Sequence, residues 1–484
     1  MIIKNNRRFL GLFFILFAVL IRLPSFWVSV MDHDESTYLV MGAGLVNGQE
    51  LYTDMTDTKP AGIFLIYAFL QLVTGYSIFW KRFIVAVIVG LSALMVNRIS
   101  LRLFRNRQAA LAAGIIYVVF TSTWAYFGLS PNTELFFNFF TLAGLLFFLK
   151  GEKWHLFMAG FMFGCGFMIK YLVLFDFMAI GGTFMVLALM EKKRMLSWNV
   201  IQAYFVSGMG FLLPFGLAHA YFWLNGNYAD FHFITYQLTG SYNDSATLWS
   251  YIKLLLDFTG RFLPVFFLFW YVMFSRNLFP ERWHKPFFIV WVVSVLVAIY
   301  LPGKGFSHYA IQLMGPVSLV AGLFYHSEFR PGRYSALLFK GRPAVILGTV
   351  FIGVVFSVNI HNHVVEPDYP REIAEYLDDR TNDHETIYTG NYRQIIYYLL
   401  EKSSPTKFVH PTILSTGLGA AFNVNTLQEI RRILGKKPKY IIIERDYPVL
   451  EKEMRSQYRQ EKTFKNNRIR LYRRIDPPSG RQAR

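Results

Sequence analysis

The 484-residue sequence has few charged residues and almost no cysteine. Asp, Glu, Lys and Arg make up 17% of the chain and apolar residues 54%, whereas soluble domains carry about 25% charge. This composition excludes an ordinary soluble enzyme and a disordered chain. The single cysteine, Cys165, cannot form an internal disulfide, which excludes a disulfide-built secreted domain. We interpret it as a packing residue within the apolar run 160–168.

Several signatures of soluble-enzyme chemistry are also missing. The sequence has no glycine-rich phosphate loop, no Walker motif and no Ser-His-Asp signature. It also lacks the Cys/His spacing of a transition-metal site. A carboxylate-rich loop offers oxygen ligands of the kind that a divalent cation uses, but its pattern specifies no metal. The basic run 468–474 is interpreted as a strand face near anionic lipid, so no nucleic-acid partner is expected.

The charges that are present divide the chain into two parts. Residues 1–360 hold 27 basic and 15 acidic residues, and the much shorter segment 361–484 holds 22 and 16. The first part is therefore predicted to be a membrane domain and the second a soluble domain. A span of the hydrocarbon core needs about 20 apolar residues. Eleven candidate spans follow: 9–30, 79–101, 109–127, 134–149, 156–169, 172–190, 198–224, 262–275, 286–301, 309–326 and 343–360.

The distribution of Lys and Arg between these spans predicts the orientation. Basic residues gather before the first span and in alternate loops, so the positive-inside rule places the N-terminus in the cytoplasm. Eleven spans then place 361–484 outside, and we predict a multi-pass protein of the bacterial inner (plasma) membrane. The first span lacks a cleavage site and is interpreted as a retained anchor. The apolar stretch 60–77 is interrupted by polar residues and is interpreted as a helix along the membrane surface.

The C-terminal segment alternates between helical and strand patterns. Helices are predicted over 371–380, 391–402, 425–437 and 447–460, and strands over 385–390, 438–445 and 468–474, the last as an edge strand. Such alternation is typical of a small α/β domain.

The first external loop, residues 31–59, carries the densest group of acids. Asp34 and Glu35 follow the first span directly; they are either solvated loop acids or a general base at the membrane face. Lys59 and Pro60 open the predicted surface helix. Lys59 is either a lysine that snorkels to the interface or a cation for a lipid-linked phosphate, aided by helix N–H groups.

Later external segments supply further candidates. Ser130 or Asn132 can cap the helix that follows them. Glu134 is then either an acid in the first turn of that helix or a residue that faces an external cavity together with the first loop. Lys170 and Asp176 flank a bend between two apolar runs, where charges face protein or water.

The segment 302–309 adds a second group of polar residues. Lys304 is positioned to bind a phosphate. His308 and Tyr309 either have a structural role or line the external cavity. Arg82 and Arg261 share the phosphate-binding interpretation.

The external motifs resemble polyprenyl-phosphate-dependent glycosyltransferases of the GT-C fold, specifically glycosyltransferase family 39, which includes the protein O-mannosyltransferases and the lipid A aminoarabinose transferase group. The similarity covers most of residues 1–360 in layout. It rests on Asp34-Glu35-x-x-Tyr38, Gly48, Tyr52, Lys59-Pro60, Pro131-x-x-Glu134 and Lys304 with His308-Tyr309. The sequence departs from the pattern at Ala61, where a second proline is usual, and at Thr58, where the aminoarabinose transferase has an acid.

The resemblance implies a GT-C membrane domain at 1–360 with its catalytic external loop at 31–78, and a periplasmic α/β domain at 361–484. It implies a sugar donor on polyprenyl phosphate and transfer at the outer face, with inversion, to a hydroxyl or lipid phosphate of a lipid, glycan or protein. Asp34 would be the general base, with Glu35 beside it, and Lys59, Lys304 and Arg82 would contact the donor phosphate. The acceptor or cavity residues would be Tyr38, Asp57, Glu134, His308 and Tyr309.

Two other functions are compatible with a polytopic chain. A transporter or flippase of lipid-linked sugars is the main alternative, but such proteins place polar residues near mid-span in paired halves. Here the polar residues gather at external span ends, and no repeat is visible. In a non-catalytic lipid-binding or assembly subunit, Asp34 would be dispensable.

Overall fold

The fold was analysed in a computed structural model. It describes residues 7–191, 198–238, 247–275, 278–301, 303, 306–416 and 418–475. Lys304, one of the predicted phosphate-binding residues, lies outside this described part of the chain.

The described part of residues 1–360 is helical, and its helices are numbered here in chain order. Helix α4 is central and contacts α1, α5 and α6. The helices are α1 Arg7–Arg22, α2 His33–Val46, α3 Ala61–Thr74, α4 Ile78–Phe104, α5 Arg107–Phe120, α6 Thr133–Phe148, α7 Lys153–Ile169, α8 Val173–Glu191, α9 Trp198–Leu224, α10 Tyr228–His232, α11 Leu248–Arg261, α12 Leu263–Phe274, α13 His284–Tyr300, α14 Met314–Leu323, α15 Arg333–Phe339 and α16 Gly341–Ile360.

Many of these helices are apolar enough to lie in a membrane. Among the described residues, five helical segments have the length and hydropathy to cross one: 8–25, 78–104, 173–190, 200–224 and 341–378. Shorter apolar helices include α3, α5, α6, α12 and α13. Since length alone does not decide whether a short helix spans, the count of eleven spans stays a prediction.

Helix α3 covers most of the stretch that was predicted to lie along the membrane surface. It packs against α2 and α7. Its opposite face exposes large apolar side chains: Leu65, Phe69, Leu72 and Val73. A soluble protein would rarely leave such a face uncovered, so this face is suited to contact with lipid.

The C-terminal domain contains a four-stranded mixed sheet. Its strands are β1 Ile387–Tyr388, β2 Tyr440–Ile443, β3 Tyr458–Phe464 and β4 Ile469–Arg474, in the order β1-β2-β4-β3. Strand β1 is parallel to β2, and the other pairs are antiparallel. The helices are α17 Tyr369–Asp378, α18 Ile395–Leu399, α19 Thr412–Ser415, α20 Thr426–Gly435 and α21 Pro448–Met454.

Two sequence-based predictions for this domain were wrong. Residues 468–474 were predicted as an edge strand, but β4 lies between β2 and β3. The helix predicted over 447–460 ends at Met454, and Tyr458 begins β3. The polar sequence of β3 gives a weak strand signal because most of its side chains stay accessible. Pairing with β4 stabilises β3 as a strand, and β4 is then no longer at the edge of the sheet.

Polar contacts fix the C-terminal domain on the helical domain. Gln394 Nε2 donates to the His33 carbonyl at 2.7 Å and to Thr37 Oγ1 at 2.6 Å. Lys81 Nζ donates to the Tyr398 hydroxyl at 2.7 Å. These contacts place the C-terminal domain against the first turns of α2 and of α4.

Candidate active site

A cavity of about 510 Å³ lies between the N-terminal turn of α2, the segment before α3 and the C-terminal domain. A 3₁₀ helix, Ser307–Leu313, supplies a further wall. The lining residues are Met31, Asp32, His33, Asp34, Asp57, Thr58, Lys59, Phe127, Phe306, Ser307, His308, Tyr309, Arg393, His410, Thr412, Ile413 and Leu418. Segments that are distant in sequence therefore converge on one cavity, which is lined by both charged and apolar side chains.

Asp34 and Lys59 form an ion pair in this cavity. Lys59 Nζ donates to Asp34 Oδ1 at 2.9 Å and lies 3.4 Å from Asp57 Oδ1. Asp32 caps α2 by accepting the Glu35 N–H at 2.7 Å, which places Asp34 in the first helical turn. Both side chains of the pair are 20% exposed, so a ligand in the cavity can reach them.

The pairing stabilises the charged form of both groups. Burial alone would raise the pKa of the Asp34 carboxyl, but the Lys59 ammonium outweighs it and holds that pKa well below its usual range. Burial opposes the charge on Lys59 as well, but Asp34 and Asp57 raise the Lys59 pKa above its usual value. The resting site therefore contains a carboxylate and an ammonium.

Two histidines lie near the Asp34 carboxylate, one beside each oxygen. His308 Nε2 lies 3.9 Å from Asp34 Oδ2, and His410 Nε2 lies 3.9 Å from Asp34 Oδ1. Burial lowers the pKa of both imidazoles, so both are mainly neutral at pH 7. Each distance is longer than a direct hydrogen bond, so neither imidazole is hydrogen-bonded to Asp34.

Asp32 is a second carboxylate of the cavity with a different environment. Burial and the charge of Asp34 raise its pKa to about 7. Both of its oxygens are engaged, Oδ1 by the Glu35 N–H at 2.7 Å and Oδ2 by Asn132 Nδ2 at 2.6 Å. Asn132 was one of two predicted caps of α6; it stands at the N-cap position but makes no capping hydrogen bond there.

The catalytic interpretation of Glu35 and the phosphate-binding interpretation of Arg82 require correction. Arg82 Nε and Nη2 donate to the two Glu35 oxygens at 2.8 and 2.9 Å. Arg82 also donates to the carbonyls of Ser25 and Val28. Both side chains are 2% exposed, and neither lines the cavity. Successive residues of a helix diverge by about 100°, so Glu35 points into the protein while Asp34 faces the cavity.

Two other predicted cavity residues lie behind its wall. Glu134 is buried and forms a short ion pair with Lys170 Nζ, which lies 3.5 Å from the centre of the Tyr309 ring. Tyr309 itself lines the cavity. Tyr38 is fully buried, with its ring 5.7 Å from Lys59 Nζ. Glu134 and Tyr38 therefore support cavity residues without lining the cavity.

The remaining predicted charges lie elsewhere. Asp176 is buried in α8 and accepts hydrogen bonds from Trp291 at 2.6 Å and Gln312 at 2.5 Å. Arg261 forms an exposed pair with Asp257. Among the described residues, no group of three or more His, Cys, Asp and Glu side chains is arranged to hold a metal ion.

Sequence reasoning missed four ionisable residues of the lining: Asp32, His33, Arg393 and His410. Asp32 and His33 lie beside the recognised motif, so their proximity was a usable signal. Arg393 and His410 belong to the C-terminal domain, and no local pattern indicates that they meet Asp34. Only the docking of the two domains brings them together.

Comparison with known proteins identifies the fold. A model of the family "dolichyl-phosphate-mannose-protein mannosyltransferase" matches residues 57–219. No curated protein sequence matches the chain. ArnT from Cupriavidus metallidurans with bound undecaprenyl phosphate aligns with a TM-score of 0.67 and 12% identity, covering 96% of this chain and 98% of ArnT. Its apo form aligns at 0.66 and 13%, covering 96% and 97%.

A more distant similarity links the chain to the apo oligosaccharyltransferase of Archaeoglobus fulgidus. That structure aligns with a TM-score of 0.50 and 12% identity over 91% of this chain and 70% of the oligosaccharyltransferase. At such low identities these alignments describe the fold, and they confirm the predicted polytopic helical architecture with a small C-terminal α/β domain. The chain thus has an ArnT-like GT-C fold with helices apolar enough to cross a membrane, and its residues 57–219 match the mannosyltransferase family model.

Proposed function

We propose that the protein is a glycosyltransferase that moves a sugar from a polyprenyl-phosphate donor to an acceptor hydroxyl or lipid phosphate at the outer face of the membrane. Asp34 acts as the general base and Lys59 binds the donor phosphate. The observation that carries this proposal is the partly exposed Asp34–Lys59 pair in the cavity.

The proposed reaction needs few chemical groups. The acceptor oxygen forms a bond to the anomeric carbon while the bond from that carbon to the phosphate oxygen breaks, with inversion. The leaving phosphate gains negative charge, which a positioned cation stabilises. An acceptor hydroxyl loses its proton to a base within hydrogen-bond reach. Lys59 and Asp34 supply these two functions within 2.9 Å of each other.

The resting pair also provides a way to couple donor binding to base strength. Asp34 is a weak base while Lys59 holds its pKa low. A donor phosphate competes for the Lys59 ammonium, and the weakened ion pair raises the pKa of Asp34. The carboxylate therefore becomes a better proton acceptor when the donor is in place.

Asp32 is the other base that the cavity offers, since its pKa of about 7 suits proton transfer. Its oxygens are already engaged by Asn132 and the α2 backbone. Asp34 is therefore the better placed carboxylate, and an Asp32→Asn variant, which keeps the cap, should retain more activity than Asp34→Asn.

The test is transfer or hydrolysis of radiolabelled polyprenyl-phosphate sugars by protein in nanodiscs. Asp34→Asn should lower turnover by at least about a hundredfold, within the range for a lost general base. The control is Asp54→Asn, because Asp54 is an exposed acid of the same loop. Near-normal turnover by folded Asp34→Asn would overturn the assignment. Movement of donor between leaflets without sugar transfer would favour the flippase alternative.

The wider organisation belongs to the same proposal. Residues 1–360 form the transferase domain with its catalytic loop at 31–78, and 361–484 form a periplasmic domain. The N-terminus is cytoplasmic in an inner membrane, and the acceptor is a lipid, glycan or protein. The basic loops between apolar helices and the exposed apolar face of α3 support this arrangement.

A further inference from the structure

The C-terminal domain forms one wall of the cavity, and its position there is fixed by backbone pairing. The Thr56 N–H donates to the Lys407 carbonyl at 2.8 Å, within an isolated bridge between Thr56 and Phe408. Thr56 lies three residues before Lys59, and Phe408 two residues before His410. The bridge therefore sets the place of His410 relative to the Asp34–Lys59 pair.

His410 is held in one tautomer by its own domain. Its Nδ1 accepts the Thr412 backbone N–H at 3.3 Å, and Thr412 Oγ1 lies 2.7 Å from the same nitrogen. Because a backbone N–H can only donate, the proton of the neutral ring is on Nε2. That Nε2–H faces the cavity and is 3.9 Å from Asp34, too far for a direct hydrogen bond. It is therefore available to a ligand oxygen.

Arg393 adds a positive charge to the same wall. It lines the cavity and is half-buried. Within the described part of the chain, its guanidinium has no ion pair and no side-chain hydrogen bond. Lys59, in contrast, is already neutralised by Asp34 and Asp57. A half-buried guanidinium without a counterion favours an anion, and its planar donors match the oxygens of a phosphate.

We propose that Arg393 and His410 of the C-terminal domain form an anion subsite of the active-site cavity, which takes a phosphate group of a substrate. The inference rests on the proposed function, which supplies the substrates. It adds a second phosphate-binding element beside Lys59. The phosphate belongs either to the polyprenyl donor or to an anionic acceptor. The C-terminal domain is then part of the substrate-binding site.

Ligand-induced shifts of the thermal unfolding midpoint test the subsite without any turnover. The probes are undecaprenyl phosphate and inorganic phosphate, each titrated against the full chain in nanodiscs. Arg393→Gln and His410→Phe should weaken binding by about tenfold or more. Arg393→Lys and His410→Gln should bind better than these two variants, because Lys keeps the charge and Gln keeps an N–H donor. Arg380→Gln, at an exposed arginine of the same domain, is the matched control.

The two probes distinguish the sources of the phosphate. Weaker binding of undecaprenyl phosphate assigns the subsite to the donor. Weaker binding of inorganic phosphate, with undecaprenyl phosphate unchanged, assigns it to an anionic acceptor. Unchanged affinity for both probes overturns the subsite. Because these readouts need no sugar transfer, they remain valid if Asp34→Asn disproves the proposed reaction.

Discussion

At the residue scale, the direction in which each acid points decides whether it can do chemistry. Asp34 and Glu35 are adjacent in sequence, yet Asp34 faces the cavity and Glu35 pairs with Arg82 inside the protein. A buried ion pair is costly to break from one side, because the remaining charge is left without a partner.

Arg82→Met should therefore destabilise the protein by about 3–5 kcal/mol, since it leaves the Glu35 carboxylate buried and unpaired. Arg98→Met is the control, because Arg98 is exposed on the same helix. Thermal unfolding in detergent measures both variants. Equal unfolding midpoints for Arg82→Met and the wild type would contradict the structural role of this pair.

His33 gives a pH-dependent prediction at the same scale. Burial, followed by the charges of Arg393 and His410, lowers its pKa from 6.5 to about 4. Between these values the unfolded chain binds the proton more readily than the folded one, so stability falls as the pH falls from 6.5 to 4. The shift corresponds to at most about 3 kcal/mol, and partial exposure of His33 reduces this value.

The measurement compares wild type and His33→Gln by denaturant unfolding at several pH values. The wild type should lose more stability than the variant between pH 6.5 and 4, and the two should change in parallel above pH 7. Parallel curves over the whole range would show that His33 does not titrate in this way. The neighbouring groups Asp32, Asp34 and Lys59 are present in both proteins, so their contributions largely cancel.

At the element scale, the close approach of α2 and α3 sets the geometry of the ion pair, because α2 carries Asp34 and Lys59 directly precedes α3. Gly42 lies at this contact. A Cβ atom there would be 2.7 Å from the Tyr67 backbone carbon, so the backbone of one helix would have to move.

Gly42→Ala should therefore separate the two helices and lower the transfer rate by about tenfold or more, since small displacements of reacting groups are costly. Gly182→Ala is the matched control in α8, because no atom lies within 4 Å of its added Cβ. Transfer assays with both folded variants test the prediction. Wild-type activity of Gly42→Ala would mean that this contact does not position the site.

At the scale of the whole molecule, the active site depends on how two domains are docked. Gln394 is fully buried and donates two hydrogen bonds to α2, one to the carbonyl of His33, which precedes Asp34, and one to the Thr37 hydroxyl. The His33 carbonyl keeps the Thr37 hydroxyl as a donor, so each lost Gln394 hydrogen bond costs about 0.5–1.5 kcal/mol.

Gln394→Ala should therefore loosen the docking, increase proteolysis in the exposed connection at 361–368 and lower the transfer rate. The control is Gln428→Ala, because Gln428 is exposed on α20. Limited proteolysis of nanodisc-embedded protein compares the variants. Equal cleavage rates for Gln394→Ala and the wild type would argue against a docking role for Gln394.

The amino-acid sequence determined the class of the protein because the relevant signals are local. Apolar runs, the rise in charge density after 360 and the Asp34 to Lys59 motif are all readable along the chain, and they predicted a GT-C membrane protein with an α/β domain. The alternating pattern over 468–474 predicted a strand. The sequence did not reveal that Tyr458–Phe464 forms a second strand that pairs with this one.

The tertiary structure alone decided which residues share the cavity. Because successive helix residues diverge, Glu35 points away from Asp34. Arg82 is neutralised by Glu35, which lies 47 residues earlier in the sequence. Arg393 and His410 entered the cavity through the docking of a domain more than 300 residues away in sequence. Such contacts depend on the packing of whole elements, whose free energy is spread over many residues and leaves no local pattern.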